Sequence, residues 1–175
     1  MRRLAYTIPM AKDESFDITT GCDLQEVDNA LNQARKEIAN RFDFKNVVAE
    51  IDYDRTGAKF SIHTTDDYKL GAIWQVLDAR FIARNVPLQN MDKSEPEKAA
   101  GGTLRQEVRL TQGIETDIAK QIVKDVKAQK YKKAQAQVQG DAVRVSAPSR
   151  DELQQVIQFL KAQDYGIELK FGNYR

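Results

Sequence analysis

Ala134 to Leu160, AQAQVQGDAVRVSAPSRDELQQVIQFL, carries the strongest structural signal in the chain. Ala134, Ala136 and Val138 alternate with Gln135, Gln137 and Gln139, the period-2 pattern of a half-buried strand. After a Gly140-Asp141 turn, Val143 and Val145 alternate with Ala142, Arg144 and Ser146. Ser149 and Glu152 stand at capping-box spacing, where hydroxyl and carboxylate satisfy free amides of a first helical turn. Leu153, Val156, Ile157 and Leu160 then give the helix one apolar face. The stretch is a β-β-α module.

The module occurs twice. Aligned without gaps, Gly57, Phe60, Ile62, Asp66, Leu70, Ile73, Trp74 and Leu77 fall opposite Gly140, Val143, Val145, Ser149, Leu153, Val156, Ile157 and Leu160. Turn glycine, strand alternation, helix cap and helix stripe coincide at one offset. Thr19-Thr20-Gly21 likewise falls opposite Thr111-Gln112-Gly113. The competing reading, one larger α+β domain with accidental similarity, leaves this fourfold coincidence unexplained. The expectation is an α+β protein of two tandem ferredoxin-like βαββαβ units, with exchange of first strands between the halves left open.

In chain order, SFDIT at 15–19 reads as a strand, and Asp23 with Glu26 as a capping-box-like start to a helix through Arg41. Phe42 and Phe44 are expected to close that helix and plug the core. A hairpin at 47–64 and a helix capped by Asp66 follow, with Val86 to Met91 as a fourth strand. Residues 92–102, DKSEPEKAAGG, are polar with Pro and a Gly pair, and read as a linker. The order then restarts with a strand at 104–111, a helix carrying Ile118, Ile122, Val123 and Val126, the 134–146 hairpin, a helix at 149–162 and a last strand at 167–171. The expected organisation is an unstructured N-terminal extension at 1–14, a first unit at 15–91, the linker, and a second unit at 103–175.

Composition excludes several classes. The 175 residues are 41% hydrophobic and 30% charged, with a formal net charge of +1. No apolar run reaches the ~18–20 residues that span a bilayer, and MRRLAYTIPM is too short in its apolar part for a secretory signal. With Cys22 alone there is no internal disulfide, which suits a reducing, cytoplasmic setting. His63 is the only histidine and Cys22 the only cysteine, so neither zinc-ligand spacing nor a Cys-His or Ser-His pair is expected. There is no Walker loop and no GxGxxG. No catalytic residue, metal site or cofactor is expected.

The candidate site follows from strand alternation. Helices cover one face of a βαββαβ sheet and leave the other open. In the second half that face carries Arg105 and Arg109, then Gln135, Gln137 and Gln139, then Arg144 and, on the last strand, Lys170. Arginine stacks on bases and bridges phosphate or guanine oxygens, and glutamine pairs with base edges. Arg80/Arg84 and Arg105/Arg109 share an Arg-x-x-x-Arg spacing able to hold a cyclic dinucleotide. The aromatic stacking platform of RNA-recognition folds is missing, because Phe16 and Phe60 fall on the core face and Asp17, Lys59, Ser61 and His63 on the open one.

SFDI at 15–18, DLQEV at 23–27, NRFDFKN at 40–46, LTQGIE at 110–115, AQAQVQGDAVRV at 134–145, SRDELQ at 149–154 and FGNYR at 171–175 together resemble the bacterial YajQ family. The resemblance runs from about Ser15 to the C-terminus. It implies two ferredoxin-like halves and a non-enzymatic nucleotide-binding protein. Some members of that family are cyclic di-GMP effectors that influence transcription through a protein partner, and others are associated with RNA or with GTP and ATP. For this chain it implies a cytoplasmic signalling role with cyclic di-GMP or another purine nucleotide as ligand, a transcription factor as partner and no membrane, or alternatively binding of structured RNA through phosphates. Motif membership adds Arg175 to the site, with Tyr174 beside it.

Overall fold

A computed structural model describes residues 12–175. The expected extension therefore lies largely outside the described residues, and Glu14 already belongs to the first strand. The elements are β1 (Glu14–Thr19), α1 (Leu24–Asn40), β2 (Ala49–Asp54), β3 (Lys59–Thr64), α2 (Asp67–Ala83), β4 (Met91–Lys93), β5 (Glu97–Ala99), β6 (Thr103–Leu110), α3 (Thr116–Ala128), β7 (Gln135–Gln139), β8 (Ala142–Ala147), α4 (Arg150–Lys161) and β9 (Lys170–Gly172).

Both sheets have the ferredoxin-like strand order, each completed by a strand from the other half. One sheet runs β7-β8-β1-β9; the other runs β2-β3-β6-β4, with β5 also on β6. The first strand of the chain thus sits between β8 and β9, and β6 sits beside β3. The compact units are correspondingly not the contiguous segments 15–91 and 103–175. One unit takes β1, Ile114–Asp164 and Leu169–Arg175; the other takes Thr20–Gly113 and Tyr165–Glu168.

In the β1 unit, Phe16, Ile18, Val143 and Val145 from the sheet meet Ile122 and Val126 of α3 and Leu153, Val156 and Leu160 of α4, all buried. In the other, Phe60, Ile62 and Val108 meet Val27, Leu31 and Ile38 of α1 and Ile73, Leu77 and Phe81 of α2. Each such side chain contributes about 1.5–3 kcal/mol on leaving water. Leu70, Ile73 and Leu77 are buried as their repeat partners Leu153, Val156 and Leu160 are. Trp74 is only half-buried; its indole donates to Gln106 Oε1 at 2.7 Å and carries Lys93 Nζ 3.5 Å above the ring.

Several local expectations are corrected. Residues 92–102 are not a linker but the edge of a sheet. β4 and β5 both pair with β6, and the chain reverses through Gly101 and Gly102, at φ +72° and +73°. The stretch is polar because it is a solvent-facing edge, and Pro96, which has no N–H, lies between the two paired runs. Leu88–Asn90 forms a single 3₁₀ turn where a strand was expected, so β4 starts only at Met91. Phe44 is buried as expected, whereas Phe42 is 89% exposed.

The helix starts hold only half of each capping box. Asp23 accepts from the amides of Gln25 and Glu26, but Glu26 reaches sideways to Arg84 at 2.9 Å. Ser149 accepts from the Glu152 amide, yet the Glu152 carboxylate takes the amides of Lys133 and Ala134 at 2.9 and 3.0 Å. Tertiary partners have replaced the local one.

Candidate functional site

Strand exchange separates the candidate residues into two groups. Arg105 and Arg109 are on β6 in one sheet; Gln135, Gln137, Gln139, Arg144 and Lys170 are on β7, β8 and β9 in the other. The expectation that all seven share one sheet face is therefore corrected. It assumed that the strand preceding α3 stays with the hairpin following it, and β1 occupies that place instead.

The β6 sheet has a face of mixed charge. Register sets Asp54, Lys59, Arg109 and Asp92 in one row and Glu50, His63, Arg105 and Glu97 in another. Between them lie Asp52, Ser61 and Glu107. Carboxylates outnumber cations on this face, and Lys59 and Arg109 both lie against one of them, Glu107. Glu107 receives Lys59 at 3.4 Å and Arg109 at 3.3 Å, and these two hold its carboxyl below the usual carboxylate range, Arg109 through its hydrogen bond first. His63 is half-buried, with Nδ1 3.2 Å from a Glu50 carboxylate oxygen and Nε2 2.8 Å from the Thr103 hydroxyl, which itself donates to the Ala100 carbonyl at 2.7 Å. A phosphate approaching here would meet net negative charge.

The β1 sheet presents amides and cations instead. One row across it is Gln137, Arg144, Asp17 and Gly172; the next is Gln135, Ser146 and Ser15, with Arg175 beyond. At about 4.8 Å between strands, a four-strand row spans roughly 14 Å. The three glutamines are all exposed and alternate along β7. Arg144 grips Asp17 in a two-point ion pair, Nε to Oδ1 at 2.8 Å and a terminal nitrogen to Oδ2 at 3.2 Å. That hydrogen bond is the main reason the Asp17 carboxyl lies below its ordinary value; burial pushes the other way, and the Asn173 amide adds a further donor. Lys170 stands opposite Thr19 at the end of β9.

The C-terminal strand has a bulge. Asp17 pairs with Gly172, but Ser15 exchanges both backbone hydrogen bonds with Arg175 at 3.0 Å, so the C-terminal side carries one extra residue. Asn173 absorbs it at φ +52°. The displacement sets Tyr174 against the buried Phe16 ring, 6.2 Å between centroids, while Phe171 meets Phe16 edge-on at 5.9 Å. Bulges of this kind re-aim side chains. Sequence periodicity could not reveal it, because one inserted residue has no signature in FGNYR.

The second Arg-x-x-x-Arg spacing has a structural role. Arg80 donates to Glu37 and Arg84 to Glu26, joining α2 to α1. Among the described residues, no group of three or more His, Cys, Asp or Glu is placed to hold a metal. No described helix is long and apolar enough to cross a membrane.

The fold is thus two ferredoxin-like units, one of which has an amide-bearing sheet face. The family model described as nucleotide-binding protein YajQ-like matches residues 14–175. A nucleotide-binding protein of Koribacter versatilis is 47% identical over 163 residues, covering 93% of this chain and 98% of its own length. Nucleotide-binding proteins of Desulfitobacterium hafniense (44% identical, 95% and 100% covered) and Bacillus cereus (46% identical, 95% and 100% covered) are similar. The chain belongs to the YajQ-like family.

Proposed function

We propose that this chain is a non-enzymatic, cytoplasmic nucleotide-binding protein whose ligand is a purine nucleotide, cyclic di-GMP first among the candidates. The ligand lies on the open face of the β7-β8-β1-β9 sheet, and its binding modulates a transcriptional or other protein partner. The observation that carries the reading is the contrast between the two sheet faces. The β6 face carries more carboxylates than cations, whereas the β1 face offers Gln135, Gln137 and Gln139 to base edges, and Lys170 together with the guanidinium donors of Arg144 that Asp17 does not take to phosphate or guanine oxygens. The names of the relatives support the ligand class.

Calorimetric titration with cyclic di-GMP, GTP, ATP and a short RNA tests this. Arg144→Ala and Gln137→Ala should each weaken binding about tenfold or more, the scale of a lost bidentate base contact. Losses confined to Arg105→Ala and Arg109→Ala would move the site to the other sheet, and no binding of any nucleotide would refute the reading.

Structured RNA, bound through phosphates, is the second reading. The exposed Lys132 and Lys133 beside the glutamine strand favour it. Salt separates the two: affinity for RNA held by many phosphates falls steeply with ionic strength, and affinity for one dinucleotide falls far less.

A further inference from the structure

Beside the bulge, a cavity of about 350 Å³ opens between α4 and the C-terminal strand. Its floor is the buried Leu153, and one wall is Tyr174, 61% exposed, whose ring lies 6.2 Å from that of Phe16. The rim carries Glu14, Arg150, Gln154 and Arg175. The volume is at the small end of small-molecule sites (about 300–1,000 Å³), enough for one nucleoside but not for two.

The rim charges narrow the ligand further. Arg150 Nε donates to Glu14 Oε2 at 2.8 Å, with the Arg150 side chain 84% exposed. A phosphate or carboxylate at that pair would gain from the guanidinium and lose to the carboxylate. A neutral edge offering donors beside an acceptor suits both at once. Guanine presents this pattern, with N1–H and the N2 amino group as donors and O6 as acceptor. Adenine places the lone pair of N1 where the carboxylate would be, and is disfavoured.

We propose that this cavity holds one guanine base, stacked on Tyr174, with Glu14 accepting from N1–H and N2–H and Arg150 donating to O6. Arg175 is left to face the phosphate. The inference rests on the nucleotide-binding reading above and adds base selectivity to it, in a crevice that the sheet-face residues do not line.

Titrating the full chain with GMP and AMP tests it. Wild type should prefer GMP at least tenfold. Glu14→Gln should bring that ratio close to one by weakening GMP, because a carboxamide accepts fewer hydrogen bonds and donates where guanine donates. Tyr174→Ala should weaken both nucleotides about tenfold, the scale of one lost stacking contact, and Tyr174→Phe should restore them. Circular dichroism verifies that each variant is folded. If wild type binds GMP and these variants leave affinity and the GMP/AMP ratio unchanged, the cavity assignment is wrong while nucleotide binding stands. If wild type binds neither GMP nor cyclic di-GMP, both fall.

Discussion

Asn90 is a buried polar residue whose cost and purpose can both be stated. It is fully buried; its amide donates to Thr20 Oγ1 at 2.9 Å and to the Thr111 carbonyl at 3.0 Å, and its carbonyl accepts from the Glu168 amide at 2.9 Å. These bonds tie together segments far apart in sequence within one unit. Asn90→Ala would leave buried donors and acceptors without partners, at about 1–3 kcal/mol for the group. The expected outcome is a lower midpoint in urea denaturation with an unchanged slope. Gly21 next to this cluster is similarly constrained, with φ +151° and a would-be Cβ 3.2 Å from the Gln112 carbonyl oxygen. Asp17 makes a pH prediction. Its carboxyl lies below the ordinary value because of Arg144, so the pair stabilises the fold above the unfolded-state pKa. That contribution is lost as pH falls through the depressed native value, in the acid range below about pH 4. Arg144→Ala should move the Asp17 titration upward when followed by carbonyl NMR, and should weaken the dependence of stability on pH in that window.

The hairpin from β4 to β6 shows what composition conceals in an element. Ser94 donates its backbone amide to the Glu107 carbonyl at 2.9 Å and accepts the Glu107 amide on its hydroxyl at 3.0 Å, carrying the pairing across the gap between β4 and β5. Gln106 fastens the Ser94 carbonyl at 2.8 Å from the buried side. A true linker would exchange its amides rapidly. Here the amides of β6 facing β5 should be protected in hydrogen–deuterium exchange to a degree comparable with β3. Gly101→Ala and Gly102→Ala meet no steric obstacle, so each should cost only the left-handed backbone term, about 1–2 kcal/mol, readable as a drop in Tm.

Exchange of the first strands makes the two units interdependent through the covalent chain. β1 lies inside its sheet and β6 inside the other, so neither repeat owns a complete core. Fragments 12–102 and 103–175 should each lack native circular dichroism alone and regain it on mixing. Autonomous folding of either fragment would contradict the observed pairing. Selection of the ligand face also belongs to this level, since it depends on which sheet receives which strand.

Local chemistry made much of this legible. The gapless repeat, the caps at Asp23, Asp66 and Ser149, the buried faces of the helices and the alternation along β3 and β8 are all written at spacings of two to four residues, the range over which backbone geometry couples side chains. Inward placement of Phe16 and Phe60, and with it the missing stacking platform, follows from the same periodicity. Partner choice between strands has no such signature. β1 and β6 have similar alternating patterns and either could fill either sheet; pairing across more than a hundred residues is chosen by which arrangement closes both cores. The linker composition, the absent returns of Glu26 and Glu152, and the bulge at Asn173 escaped for that reason. Each is a contact between segments distant in the chain, and free energy of that kind exists only once the chain has folded.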